Sequence, residues 1–173
     1  MDAGPALDSP LTATPLLAMS PQSLMQLALE QARLALAHDE VPIGAVIYHV
    51  PTDRIIGEAH NRRISDRDPT AHAEILAIRQ AARTLGDWRL EESILAVTLE
   101  PCPMCAGAIV NARIPRLIYG CSDPKAGAVQ TLYQLCSDSR LNHRVDIAGG
   151  VLADECGMML TQFFAAKRAM GKK

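Results

Sequence analysis

The chain has 173 residues, of which 49% are hydrophobic, and its formal net charge is −2. This length predicts one domain with a packed core, because a domain usually takes about 100–200 residues. The near-balanced charge excludes a polycationic nucleic-acid binder, so any contact with nucleic acid must come from a local basic patch. Aromatic residues, at 3%, disfavour an RNA-binding sheet that stacks bases on several exposed rings.

The first 19 residues lack a sustained period and predict a mobile tail, followed by a single domain over residues 20–173. The tail has no basic start and contains Pro5, Pro10 and Pro15, so we expect neither a secretory signal nor a transit peptide. No apolar run is long enough to span a bilayer. With five cysteines, an odd number, these features predict a cytoplasmic protein whose thiols are free or bound to metal.

The first predicted element is an amphipathic helix from Pro21 to about His38, with Ser20 as its N-cap. Two β-rich apolar runs follow, Ile43 to Val50 and Ile55 to Ala59, and they flank the turn sequence Pro51-Thr52-Asp53. This order predicts a β-hairpin.

Helices and strands then alternate. Asp68-Pro69-Thr70 signals the start of a helix that stops at Gly86. Ile94 to Leu99 predicts a strand buried on both faces, and an apolar helix runs from Pro103 to about Asn111. Strands over Leu117 to Gly120 and Val145 to Ala148 precede a last helix that Asp154-Glu155 opens. The predicted buried stripes are Ala71, Ile75, Ile78, Ala82 and Leu85 on the first of these helices and Cys156, Met159, Leu160, Phe163 and Phe164 on the last. The order predicts an α/β fold, a three-layer α/β/α sandwich with a central mixed five-stranded sheet.

Two short motifs carry the residue types for metal chemistry, His72-Ala73-Glu74 and Pro101-Cys102-Pro103-Met104-Cys105. One histidine and two cysteines supply three ligands that zinc accepts, with one position left open. Glu74 is not needed as a ligand, and a free carboxylate beside a zinc-activated water can move protons. The sequence therefore predicts a catalytic zinc site.

The spacing of these residues also predicts how they meet. Cys102 and Cys105, three residues apart, would lie on one face of a helix, in its first turn, where the dipole favours thiolate. His72 is expected in the first turn of its own helix. The N-termini of the two helices must then converge at one edge of the sheet.

A structural zinc site is the alternative, and it would need a fourth protein ligand. Cys121, Cys136, His60 or His143 could serve, but none stands in a second paired motif. Cys121, Cys136 and Cys156 are instead expected to be small buried apolar groups.

The chain resembles the bacterial tRNA-specific adenosine deaminases of the cytidine deaminase superfamily, because H-x-E with P-C-x-x-C is the signature of the zinc deaminases. The similarity runs from about Val41 to Phe164. His60 and Arg63 depart from it, since an aromatic residue and a proline often stand beside the matching asparagine. The segments that carry it besides the two motifs are Val41–Val46, Asn61-Arg62, Asp68–Ala71, Leu99-Glu100, Ala106–Ala108, Asp123 with Lys125, Asn142–Arg144 and Leu152–Cys156.

The resemblance implies a cytidine deaminase-like fold, one Zn²⁺ per chain and a homodimer. It implies hydrolytic deamination of adenosine to inosine at the wobble position of an arginine tRNA anticodon. The implied zinc ligands are His72, Cys102 and Cys105, with Glu74 as the proton shuttle. The implied substrate contacts are Asn61, Pro42, the backbone of Ala73, Asp123 and Lys125.

Three other functions remain open from the sequence. The zinc motif specifies the attack on an amino-bearing ring carbon but not the base, so a guanine or cytosine deaminase, acting on a free base or a nucleotide, is the main alternative. A non-catalytic RNA-binding scaffold with a structural zinc would not need Glu74. A catalytically silent subunit is disfavoured because the motif is complete.

Overall fold

The computed structural model describes residues 19–171. The predicted tail therefore lies outside the described residues, except for Met19, which packs against the core. Within the described range the helices are α1 (Pro21–Leu36), α2 (Ala73–Leu85), α3 (Pro103–Asn111) and α4 (Ala153–Ala169). The strands are β1 (Gly44–His49), β2 (Arg54–His60), β3 (Ser93–Leu99), β4 (Arg116–Cys121) and β5 (Asp146–Ala148). Of the helices in residues 19–171, none has the length and apolar character to cross a membrane.

The strands form one sheet in the order β2-β1-β3-β4-β5. β1 is antiparallel to both β2 and β3, whereas β3, β4 and β5 run parallel to one another. The sheet is therefore mixed and five-stranded, as predicted. β3 lies at its centre, where Val97 is paired with Ala45 on one side and Tyr119 on the other.

Helices cover both faces of the sheet, because successive strand side chains point to opposite faces. Val46 and Ile47 are both fully buried, yet they belong to different hydrophobic clusters. Val46 packs with residues of α1 and α4, and Ile47 packs with residues of α2 and α3. This arrangement confirms the three-layer α/β/α sandwich.

Two glycines let helices approach the hairpin closely. A Cβ on Gly44 would lie 2.1 Å from the carbonyl oxygen of Ala28 in α1. A Cβ on Gly57 would lie 2.4 Å from that of Ala77 in α2. Any larger residue at either position would push a helix away from the sheet, so both glycines fix the layer spacing.

The start and the buried face of α2 differ from the prediction. The side chain of Asp68 accepts a hydrogen bond from the backbone N–H of Thr70 at 2.7 Å, and the N–H of His72 donates to the carbonyl oxygen of Thr70 at 2.7 Å. These local turns compete with a helix, so α2 begins only at Ala73. Its buried residues are Ala73, Glu74, Ala77 and Ala81; in the predicted stripe, Ala71 precedes the helix, and Ile75, Ile78, Ala82 and Leu85 are half-buried.

The predicted buried stripe of α4 is wrong at its outer end. Cys156 is buried, but Phe164 is 43% exposed. The helix packs on β4 and β3, with Cys156 in the core cluster, whereas Phe164 lines a cavity. Met159, Leu160 and Phe163 are half-buried.

Candidate active site

The predicted convergence of two helix N-termini is present. His72 is the residue immediately before α2, and Cys102 is the residue immediately before α3. The prediction placed both in the first helical turn; each instead has extended backbone and serves as the N-cap residue, whereas Cys105 lies in the first turn of α3. The Nδ1 atom of His72 lies 3.7 Å from the Sγ atom of Cys102 and 3.6 Å from that of Cys105. The two Sγ atoms are 3.7 Å apart.

These distances suit a zinc ion. Tetrahedral zinc with bonds of about 2.3 Å to sulfur and about 2.0–2.1 Å to nitrogen requires about 3.8 Å between sulfurs and about 3.6 Å between sulfur and nitrogen. The observed nitrogen–sulfur and sulfur–sulfur separations agree with these values to within about 0.2 Å. Among residues 19–171, no fourth His, Cys, Asp or Glu joins this donor group.

The proposed alternative ligands lie elsewhere. Cys136 is buried, and its thiol faces the carbonyl oxygen of Ala106. A ring nitrogen of His143 donates to the carbonyl oxygen of Ile114 at 2.8 Å. His60 lies on β2, and Cys121, at the end of β4, lines the same cavity as His72 without joining the donor group. The arrangement therefore favours an open site over a closed structural one.

The two thiols differ in acidity. The pKa of Cys102 is lowered to about 4, mainly by its hydrogen bond with Cys105 and further by His72. Burial acts in the opposite direction but is outweighed. The pKa of Cys105 is raised because it donates that bond and is buried. The pKa of His72 is raised, chiefly by its hydrogen bond with Cys102. A thiolate, a second thiol and an imidazole in mutual contact form a soft, concentrated donor set of the kind that binds zinc.

Glu74 lies beside the donor group without belonging to it. It is the second residue of α2, only 4% exposed, and its carboxyl interacts with His72 and with both cysteines. Burial raises its pKa, because removal from water disfavours the charged form. A carboxyl whose pKa is raised accepts a proton more readily than an exposed one, which suits general acid–base catalysis.

A cavity of about 690 Å³ opens over His72 and Ala73. This volume is within the usual range for small-ligand sites. Its walls come from the start of β1, the segment after β2, the segment after β4 and the outer face of α4.

Four of the five predicted substrate residues line this cavity: Asn61, Ala73, Asp123 and Lys125. The fifth, Pro42, is buried between the lining residues Val41 and Ile43 and does not itself line the cavity. Other lining residues lie on α4, where Leu160 and Phe164 were predicted to be buried in the core and were not assigned to the site. Leu160, Phe164 and Arg168 recur at intervals of four, a helical spacing that could have identified them as one face turned to the cavity.

The wall formed by residues 122–131 is held by Glu100, which is only 2% exposed. Its carboxylate accepts hydrogen bonds from the backbone N–H groups of Asp123 at 3.0 Å, Val129 at 3.2 Å, Gln130 at 2.8 Å and Thr131 at 2.9 Å, and from the Thr131 hydroxyl. Burial opposes ionisation, but these bonds outweigh it, and the pKa of Glu100 is lowered. No sequence pattern indicated this role, because the hydrogen-bond donors are 23 to 31 residues away along the chain.

Asp123 shapes the same wall. Its Oδ1 atom accepts hydrogen bonds from the backbone N–H groups of Lys125 at 2.8 Å and Ala126 at 3.2 Å. These bonds fold the segment after β4 into a turn that places Lys125 at the rim of the cavity. The side chain of Lys125 is exposed there, so its charge is available to a ligand.

A three-layer fold whose helix N-termini bring His, Cys and Cys together beside a buried glutamate defines the deaminase class with a cytidine deaminase-like fold. The comparison with known proteins makes this assignment specific. The chain matches the MafB19-like deaminase family over residues 19–168 and belongs to that family. The protein is therefore an enzyme of the deaminase type.

Three relatives illustrate the similarity. The tRNA-specific adenosine deaminase of Bacillus subtilis (strain 168) is 47% identical over 148 residues, which cover 86% of this chain and 91% of the relative. A structure solved in a study of A-to-I editing by tRNA:A34 deaminases at the wobble position of transfer RNA has 47% identity and a TM-score of 0.75, over 79% of this chain and 98% of that chain. A guanine deaminase structure from Bacillus subtilis has 39% identity and a TM-score of 0.57, over 60% of this chain and 66% of that chain. The predicted kinship with bacterial tRNA-specific adenosine deaminases is thereby confirmed.

Proposed function

We propose that this enzyme deaminates adenosine to inosine at the wobble position of a tRNA anticodon, with an arginine tRNA as its substrate. The observation that carries the proposal is the buried Glu74 beside a three-donor group at a cavity large enough for a nucleotide. The choice of adenosine in tRNA as the substrate is supported by the tRNA-specific adenosine deaminase of Bacillus subtilis, which is 47% identical over 86% of this chain.

His72, Cys102 and Cys105 would hold one zinc ion. When bound, zinc supplies a water that ionises near neutral pH. Glu74 takes a proton from the attacking water and delivers it to N1 of adenine, while the oxygen adds to C6. Glu74 then carries the second proton to the amino group, the C6–N bond breaks, and ammonia and inosine are released.

The cavity walls would bind the target nucleotide and its neighbours. Asn61 and the backbone of Ala73 would contact the base, and Pro42 would support that side from behind. Asp123 and Lys125 would meet adjacent anticodon nucleotides. An anticodon loop suits such a site, because its bases are already unpaired and are extruded at lower cost.

Phosphate contacts would come from the basic residues at the rim, since the net charge of the chain is −2. Arg63, Lys125 and Arg168 line the cavity. We also propose that the enzyme works in the cytoplasm as a homodimer, as the resemblance to its family implies.

The deciding experiment uses the zinc-loaded enzyme and an arginine tRNA with adenosine at the wobble position. Mass spectrometry of that nucleotide should show inosine, and the Glu74→Gln variant should leave adenosine. A wild-type enzyme that makes no inosine would overturn the proposal.

The second candidate is guanine deamination, which the 39% identity to a guanine deaminase favours. Release of ammonia from guanine, with none from the tRNA, would select it. Cytosine is assayed in parallel, because the donor group does not by itself distinguish the bases.

A further inference from the structure

Glu40, four residues before β1, is a fully buried carboxylate outside the donor group. A buried carboxylate is costly unless hydrogen bonds compensate for the lost water. Here the Oε1 atom accepts hydrogen bonds from the backbone N–H groups of Ile64 at 2.8 Å and Ser65 at 2.7 Å. The Oε2 atom accepts one from the side-chain Nδ2 of Asn61 at 3.1 Å. Glu40 therefore ties the segment after β2 to the start of β1.

These contacts determine how Asn61 faces the cavity. Asn61 is itself only 5% exposed, and its backbone N–H donates to the carbonyl oxygen of Ile43 at 2.9 Å, so its main chain is fixed. A carboxylate can only accept hydrogen bonds. Glu40, with a longer contact at 3.4 Å from the same Nδ2 to the carbonyl oxygen of Val41, therefore holds the amide with its nitrogen inward, and the carbonyl oxygen is the end left for a ligand.

We propose that Glu40 is a positioning residue for base recognition: by fixing the Asn61 amide, it sets the hydrogen-bonding pattern that this wall presents to the substrate base. The inference rests on the proposed deamination and extends it to the origin of base selectivity. Glu40 has no exposed surface, so it acts through Asn61 and does not touch the substrate.

A glutamine at this position would have a specific effect. It keeps the volume of glutamate but has one accepting and one donating end. The two backbone N–H groups of Ile64 and Ser65 require the oxygen, so the NH₂ end would face Asn61. Asn61 would then turn its amide over, and the wall would offer a donor where it now offers an acceptor.

The test is a double-mutant cycle on the zinc-loaded full chain, with Glu40→Gln, Asn61→Ala and the pair. The substrate is an anticodon stem-loop with wobble adenosine, and kcat, KM and zinc content are measured. Glu40→Gln should lower kcat/KM about 10- to 100-fold, because one buried hydrogen bond to the base is lost or opposed. Zinc content should not change. In the Asn61→Ala background the same substitution should cost less than about 3-fold, since no amide is left to reorient.

Glu40→Asp distinguishes positioning from packing. Aspartate is shorter but still only accepts, so Asn61 keeps its orientation, and kcat/KM should lie between those of the wild type and Glu40→Gln. A packing role predicts the reverse order, because glutamine matches the volume better. If Glu40→Gln does not fold, the cycle is run with Glu40→Asp.

Tyr48→Phe is the matched control. It removes a partly buried side-chain hydrogen bond, to Asp53 at 2.6 Å, at the other end of β1. It should lower Tm without changing kcat/KM. The role of Glu40 would be overturned if Glu40→Gln lowered kcat/KM equally in the wild-type and Asn61→Ala backgrounds. It would also be overturned if Glu40→Asp lowered kcat/KM more than Glu40→Gln does. A wild-type enzyme with no activity on the stem-loop would instead overturn the proposed function.

Discussion

The floor of the cavity and its walls are held in place by different kinds of interaction. The floor consists of the donor group and Glu74, which adjoin the cavity at His72; it is fixed by where two helices begin, and its donor atoms lie 3.6 to 3.7 Å apart. Two of the walls, the segments after β2 and after β4, are irregular, and each is folded around a buried carboxylate, Glu40 for the first and Glu100 for the second.

Because of this difference, we assign the chemical step to the floor and substrate recognition to the walls. The floor derives from regular elements that pack in the core, so its geometry depends on the whole fold. The walls depend on a few hydrogen bonds each, and loops of this kind change at smaller cost to the scaffold. We therefore expect substitutions at the floor to abolish turnover and substitutions in the walls to change binding and selectivity.

The largest effect is expected from Cys102→Ala, which removes one of three donors. The purified variant should lose its zinc in elemental analysis, and turnover should fall to background. Cys136→Ala is the matched control, because Cys136 is a buried thiol outside the donor group. If Cys102→Ala keeps a full equivalent of zinc, the floor is not the metal site.

The next effect is expected from Glu74→Gln, which keeps the shape of the side chain but cannot carry the proton. The value of kcat should fall about 10²- to 10⁴-fold, the usual contribution of a general acid–base group. Zinc content and RNA affinity should stay near wild type, and the exposed Glu91→Gln should change neither. Undiminished kcat would assign proton transfer to another group.

A wall substitution should act differently. Glu100→Gln leaves several buried N–H groups without a full acceptor and should lower the free energy of unfolding by about 1–3 kcal/mol. It should raise KM more than it lowers kcat, because residues 122–131 shape the cavity without carrying the proton. Thr131→Val, which removes only the hydroxyl donor, should show the same pattern at smaller size. Steady-state kinetics and urea unfolding are measured on both variants. If either variant lowers kcat and leaves KM unchanged, the division between floor and walls is contradicted.

The smallest effects are expected at the rim. Lys125→Ala and Arg168→Ala should each weaken RNA binding modestly and reduce the slope of log affinity against log salt by about 1. Arg140→Ala is the control, since Arg140 is exposed and paired with Asp138 at 2.6 Å. An unchanged slope in both rim variants would exclude phosphate contacts at these residues.

Much of this architecture could be predicted from local pattern. Apolar periodicity, continuous apolar runs and helix start and stop signals located the four α-helices and five strands of the described range. The same holds for the donor group. The three-residue spacing of Cys102 and Cys105 and the length of chain back to His72 were sufficient to place them together.

The sequence by itself therefore determined the layers of the sandwich and the grouping of His72, Cys102 and Cys105, because it located the two helices whose N-termini converge. Only the tertiary structure decided where α2 begins, that Phe164 faces the cavity, and that Pro42 lies behind its wall. It also decided the partners of Glu40 and Glu100, which are 21 to 31 residues away along the chain. Such contacts follow no sequence period, because they depend on which segments the folded core brings together and on the need of a buried carboxylate for donors.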